Sequence, residues 1–211
     1  MREPINTITH LIGIIMGAVA LVMMILNAVM KDSTTYLIGG IVFGVSMILL
    51  YSASTLYHWY NGKASAIKRL RKLDHAMIFV LIAGTYTPIC LTALKGTLGT
   101  IMLILIWSLA IIGTVSKLLF INMPRWISAG MYLFLGWLCI IFIVPLFKAL
   151  PPEGFFWLVT GGVLYTVGSI FYASKSEKIK IAGFGFHEIF HLFILAGTLA
   201  HYILINHYIF S

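Results

Sequence analysis

At 211 residues the chain is long enough for one or two soluble domains, yet 61% hydrophobic residues against 9% charged ones leave too little polar surface to face water on all sides. That balance excludes an ordinary soluble enzyme or scaffold and points to a membrane protein. The net charge of +8 would suit nucleic acid, but the basic residues are distributed as loop charges of a membrane protein, so nucleic acid is not an expected partner.

A hydrocarbon core of about 30 Å takes roughly 20 apolar residues per helix, and the charged residues divide the chain into seven pieces of about that length. The predicted spans are 8–30, 36–57, 75–94, 98–118, 127–147, 155–173 and 181–209. Connections are short and no linker or internal repeat divides the chain, so 1–211 is expected to form a single all-α, seven-helix transmembrane domain.

Ahead of and within the first span, Glu3, Asn6 and His10 are spaced by three and four, which lines them along one helix face. They are expected either to support a metal ligand from behind or to cap and bridge helices. No small-residue cleavage site follows Arg2-Glu3, so the first span is expected to remain in the mature protein. The second span carries Gly40 and Gly44, a spacing that favours close helix contact, and ends with Ser54 and His58 one turn apart. The connection at 61–72, NGKASAIKRLRK, is the longest hydrophilic stretch. Asp74 and His75 open the third span, and Pro88 and Pro145 predict kinks in the third and fifth. Cys90 and Cys139 fall inside spans and read as packing residues. The seventh span opens with GFGFHEIFHLF, which contains His187, Glu188 and His191 as a literal H-E-x-x-H, and continues to His201 and His207.

With the N-terminus in the cytoplasm, every lysine and arginine except Lys31, Lys95 and Lys148 falls on the inner side. Positive-inside orientation therefore predicts a cytoplasmic N-terminus, an outer C-terminus and residence in the cell membrane, with membrane lipids as the expected partners.

Ionisable groups in a membrane are costly, so each is a functional candidate until a structural role accounts for it. The predicted topology brings His58, Asp74, His187 and His191 to one depth. Four residues turn a helix by about 400°, so His187 and His191 share a face. Three neutral imidazoles from two helices would leave the fourth tetrahedral position of Zn²⁺ open to water, the arrangement of a catalytic site. Asp74 is then the candidate proton acceptor and Ser54 the candidate hydrogen-bond donor to a developing oxyanion. The bland alternative is that lone intramembrane histidines join helices by hydrogen bonds. His201 lies about 21 Å along the helix from His187 and cannot share its metal. His201, His75 and His207 are assigned structural roles.

The E-x-x-N-x-x-x-H of Glu3, Asn6 and His10, the S-x-x-x-H of Ser54 and His58, the KLDHAMIFVLIAGTYTP stretch holding Asp74, and the H-x-x-x-H of His187 and His191 together resemble the hemolysin III family. That family is the bacterial branch of the progestin and adipoQ receptor family, which includes the adiponectin receptors and belongs with alkaline ceramidases in a wider group of membrane hydrolases. The resemblance implies a zinc near the inner leaflet on His58, His187 and His191, with Asp74 and Ser54 beside it. It also implies hydrolysis of ceramide-like acyl amides or a part in membrane-lipid homeostasis, and it makes the Glu188 position a spacer.

Three other readings stay open at this stage. A pore-forming cytolysin would fit the family's name, although no span has a continuous polar face. A non-catalytic lipid sensor would use zinc only to tie the second and seventh helices. An intramembrane H-E-x-x-H protease would use Glu188 as its base.

Overall fold

The structure is a computed structural model that describes residues 1–120, 122–174 and 184–210. Seven helices among them are long and apolar enough to cross a membrane: α1 (Pro4–Met30), α2 (Thr34–Trp59), α3 (Ala64–Ala93), α4 (Gly96–Leu119), α5 (Arg125–Ala149), α6 (Pro152–Ser174) and α7 (Phe186–Ile209). No strand occurs among the described residues. Each helix packs on the next and α7 returns to α1, so the seven close a ring, in which α3 is the most enclosed.

The packing is inverted relative to a soluble protein. Ile15, Ile104 and Ile141 are each at least 60% exposed, whereas Asn6, His10, Ser54, His58, Asp74 and His191 are buried. Apolar side chains facing outward meet lipid at no cost, while polar groups gathered inside find partners or ligands that lipid could not supply.

Local chemistry sets the helix ends. Pro4 stands in the first turn of α1, where its missing N–H costs nothing. The Ser33 hydroxyl accepts from the Tyr36 N–H and caps α2. Gly44 lets α2 approach α1 closely, since a Cβ there would come within 2.7 Å of the Leu21 Cβ. The contact expected from the Gly40 and Gly44 spacing is therefore made.

The prolines disturb their helices in different ways. After Pro88 the chain widens into a π turn over Ile89–Ala93, with the Leu94 N–H reaching the Ile89 carbonyl. In α5 the disturbance precedes Pro145, as a 3-10 stretch over Trp137–Phe142. Tyr86 of α3 bridges it, donating its hydroxyl to the Gly136 carbonyl at 2.6 Å and accepting from the Cys139 N–H at 2.9 Å.

Two expectations need correction. The stretch expected to be a long polar connection, 61–72, is mostly helix, because α3 begins at Ala64. Residues 64–73 contain no Gly or Pro, and their lysines and arginines can extend toward water while the turns remain intact. Lys117, read as a loop charge, is fully buried between α4 and α5, where its amine donates to the Ser128 hydroxyl. Lys175, Lys178, Lys180 and the predicted start of the seventh span at Ile181 lie outside the described residues, and α7 is first helical at Phe186.

Candidate metal centre

The last turn of α2 and the first two turns of α7 bring His58, His187 and His191 together. One ring nitrogen from each lies within 4.8 Å of the other two. Tetrahedral zinc with bonds of about 2.0–2.1 Å would set its ligand nitrogens about 3.3–3.4 Å apart, so the rings would draw together by up to about 1.5 Å to share one ion.

Hydrogen bonds behind the rings orient two of them. His58 Nδ1 lies 2.7 Å from Glu3 Oε2. A carboxylate only accepts, so the proton sits on Nδ1 and the Nε2 lone pair is free; Nε2 is buried and has no hydrogen-bond partner among the described residues. His191 Nδ1 lies 3.3 Å from Thr9 Oγ1, whose own proton is directed to the carbonyls of Ile5 and Asn6 at 3.0 Å. Thr9 is then the acceptor, and Nε2 of His191 is likewise left with its lone pair. The buried lone pair of His58 Nε2, without a partner among the described residues, is costly in apolar surroundings, and a divalent cation would satisfy it. The residues present therefore fit a metal ion.

Glu3 is fixed from several directions. Asn6 Nδ2 donates to Oε2 at 2.9 Å, Arg2 Nε donates to Oε1 at 3.1 Å, and the Glu3 backbone N–H donates to the His58 carbonyl at 3.1 Å. Arg2 itself lies 4.4 Å from the centre of the Tyr57 ring. The hydrogen bond from His58 is the chief reason that the Glu3 carboxyl is held down to about 2, with the bond from Asn6 assisting and burial opposing. His10 stacks on His191 with ring centres 3.7 Å apart and planes 13° apart, and neither of its nitrogens has a hydrogen-bond partner among the described residues.

Two cavities meet at the histidines. One is narrow and mostly apolar, about 130 Å³, and runs between α3, α5, α6 and α7 from Ser54, Asp74 and His191 toward Ile89 and His201. Ten residues of α7 separate His191 from His201, about 15 Å of helix. The other is a polar pocket of about 560 Å³, bounded by Glu3, Asn6, His58, Arg125 and Glu188. His187 lines both.

Asp74 and Ser54 thus share a cavity wall with His187 and His191 without belonging to the ligand cluster, and the buried Ser54 hydroxyl has no hydrogen-bond partner among the described residues. Glu188 faces the polar pocket outside that cluster. His75 lines the apolar cavity beside Asp74; α3 is enclosed on several sides, so these adjacent residues both face the interior. His201 lines the far part of that cavity and His207 is exposed. Thr9 and Arg125 were not marked in the sequence. Thr9 could have been found at three residues from Asn6 on the face shared with His10, whereas Arg125 resembles any loop cation.

A family profile described as "Haemolysin-III related" matches residues 1–202. The chain is 43% identical over 199 residues to the "Hemolysin-3 homolog" of Bacillus subtilis (strain 168), covering 94% of this chain and 90% of that protein. It is 42% identical to the "Hemolysin-3" of Bacillus cereus over 93% of this chain and 87% of the relative. A more distant likeness, 25% identity over 80% of this chain and 69% of the relative, links it to the human "Monocyte to macrophage differentiation factor".

Proposed function

The chain belongs to the haemolysin-III-related family, and on that premise we propose that it is a zinc-dependent hydrolase of acyl-amide lipids in the cell membrane, acting in membrane-lipid homeostasis. The observation that carries this reading is the three-histidine cluster, two of whose members, His187 and His191, line a mostly apolar cavity that also holds a carboxylate and a hydroxyl, those of Asp74 and Ser54. A structural zinc site would need neither the cavity nor those two groups.

His58, His187 and His191 would hold the zinc, which when bound supplies Lewis acidity that polarises a carbonyl and acidifies water. The apolar cavity takes the acyl chain and excludes bulk water. Asp74 accepts the proton of the attacking water, and the Ser54 hydroxyl donates to the carbonyl oxygen as negative charge develops there. The water oxygen bonds to the acyl carbon, the C–N bond breaks, and the proton goes from Asp74 to the leaving amine. Fatty acid and amine are the products.

Arg71 and Lys72 of α3, Lys63 just ahead of it, and Arg125 at the start of α5 share the end of the bundle that carries the N-terminus, while Lys31, Lys95 and Lys148 are at the other. That distribution supports a site opening at the inner leaflet. A cytolytic pore, suggested by the relatives' printed names, would need a polar lumen, and the interior cavity is lined mainly by apolar side chains.

The test is release of fatty acid from N-acyl lipids by the purified protein. Chelation should abolish release and added zinc restore it, and Asp74→Asn should keep the metal while slowing release about 10²- to 10⁴-fold. Release that is indifferent to chelation would refute the proposal. A protein that leaves every N-acyl lipid intact yet loses thermal stability on chelation would instead be a metal-tied lipid sensor.

A further inference from the structure

The polar pocket contains one positive charge, Arg125, that the hydrolytic reading does not use. Arg125 opens α5 at the pocket wall, with its guanidinium carbon 5.5 Å from the ring centres of both Tyr172 on α6 and Phe186 on α7. Two aromatic neighbours hold the planar group in place, so little further ordering is required when it binds something. Its Nη1 is shielded from water and has no hydrogen-bond partner among the described residues.

The pocket's carboxylates do not answer this charge. Glu3 is engaged by Arg2, Asn6 and His58, and the ion pairs among the described residues include neither Arg125 with Glu3 nor Arg125 with Glu188. A shielded guanidinium N–H without an acceptor loses hydration for no return, and an anionic oxygen is the partner that repays it most fully.

We infer that Arg125 is the anion-binding residue of the substrate's polar end, so that the preferred substrate is an N-acyl amine carrying a carboxylate or phosphate on the amine side. This rests on the hydrolase reading above. The acyl chain lies in the apolar cavity, the amide sits at the histidines where the two cavities meet, and the charged end reaches across the polar pocket to Arg125. Hydrolysis transfers the water oxygen to the acyl carbon and frees an amine that still bears the anion. That product is water-soluble and leaves through the polar pocket, away from the fatty acid.

Binding separates the inference from the chemistry. N-oleoylglycine, N-oleoyl-O-phosphoethanolamine and N-oleoylethanolamine share an acyl chain and an amide and end in carboxylate, phosphate and hydroxyl respectively. Their affinities would be measured in phosphatidylcholine nanodiscs for the full chain, both metal-loaded and chelated. The wild type should prefer one of the anionic ligands by about ten- to a hundredfold over the neutral one. Arg125→Gln should erase the preference, and Arg125→Lys, which keeps the charge without the planar fork, should retain part of it.

Equal affinities in the wild type, or a preference that survives Arg125→Gln, would overturn the assignment. So would a preference abolished by adding phosphatidylglycerol, which would give Arg125 to ordinary headgroups of the bilayer. Fatty-acid release followed in parallel keeps the two claims apart. Discrimination in binding without hydrolysis of any ligand sinks the hydrolase reading alone, and hydrolysis of all three without discrimination sinks this one alone.

Discussion

Replacing Glu3 tests whether the N-terminal segment orients a metal ligand or merely starts a helix. Its Oε2 lies 2.7 Å from His58 Nδ1 and fixes both the tautomer and the direction of that ring. Glu3→Ala removes the acceptor, leaves Nδ1–H without its carboxylate, and frees the ring to turn or to take the other tautomer. Partners of this kind alter metal affinity by about ten- to a hundredfold, or about 1.4 to 2.7 kcal/mol. Glu3→Gln retains an acceptor oxygen without charge and should lose less. The assay is competition for zinc against a calibrated chelating dye, with His207→Ala, an exposed histidine remote from the cluster, as the control.

The pH dependence follows from the same contact. The Glu3 carboxyl is held at about 2, below its ordinary 4.5. A depressed carboxyl contributes stability that is fully present above its unfolded value and is lost as pH falls toward the folded one. Glu3 therefore stays ionised well below pH 4.5, and its own titration adds no pH dependence to the difference in zinc affinity between wild type and Glu3→Ala from there to neutrality. Equal zinc affinity in wild type and Glu3→Ala would refute the reasoning, because the hydrogen bond would then have no influence on the ligand behind it.

Two predictions concern the scaffold. Tyr86→Phe leaves the Gly136 carbonyl and the Cys139 N–H without their bridging hydroxyl, and should cost about 1–3 kcal/mol in detergent denaturation. Gly44→Ala puts a methyl group 2.7 Å from the Leu21 Cβ and 2.9 Å from its backbone Cα. Because backbone cannot rotate aside, α1 must shift, and thermal unfolding should report a loss of about 1–3 kcal/mol.

The contrast between apolar runs and charged breaks made the seven helices legible, and the spacing of His187 and His191 placed two imidazoles on one face of α7 before any coordinates. His58 required a further step, that α2 and α7 have their relevant ends at the same side of the bundle. Helix starts were harder. The polarity of residues 64–73 suggested a loop, but hydropathy reports where a segment lies relative to lipid and says little about whether its backbone is helical.

Residues acting across helices were the least legible. Thr9 serves His191 from α1, and a threonine in an apolar helix ordinarily bonds to its own preceding turn, as Thr85 does. Arg125 gained significance from Tyr172 and Phe186, two rings distant in the chain, which no local spacing connects. His75 and Asp74 line one cavity although about 100° of helix rotation separates them, because α3 is enclosed on more than one side.

The most direct test is the metal content of the purified protein, measured by elemental mass spectrometry on the wild type and on a His187→Ala/His191→Ala double variant. The account predicts about one zinc per chain in the wild type and almost none in the variant, since a single imidazole from α2 cannot hold the ion. Wild-type protein free of divalent metal after purification in zinc-supplemented buffer, or a double variant that keeps an equimolar ion, would contradict it.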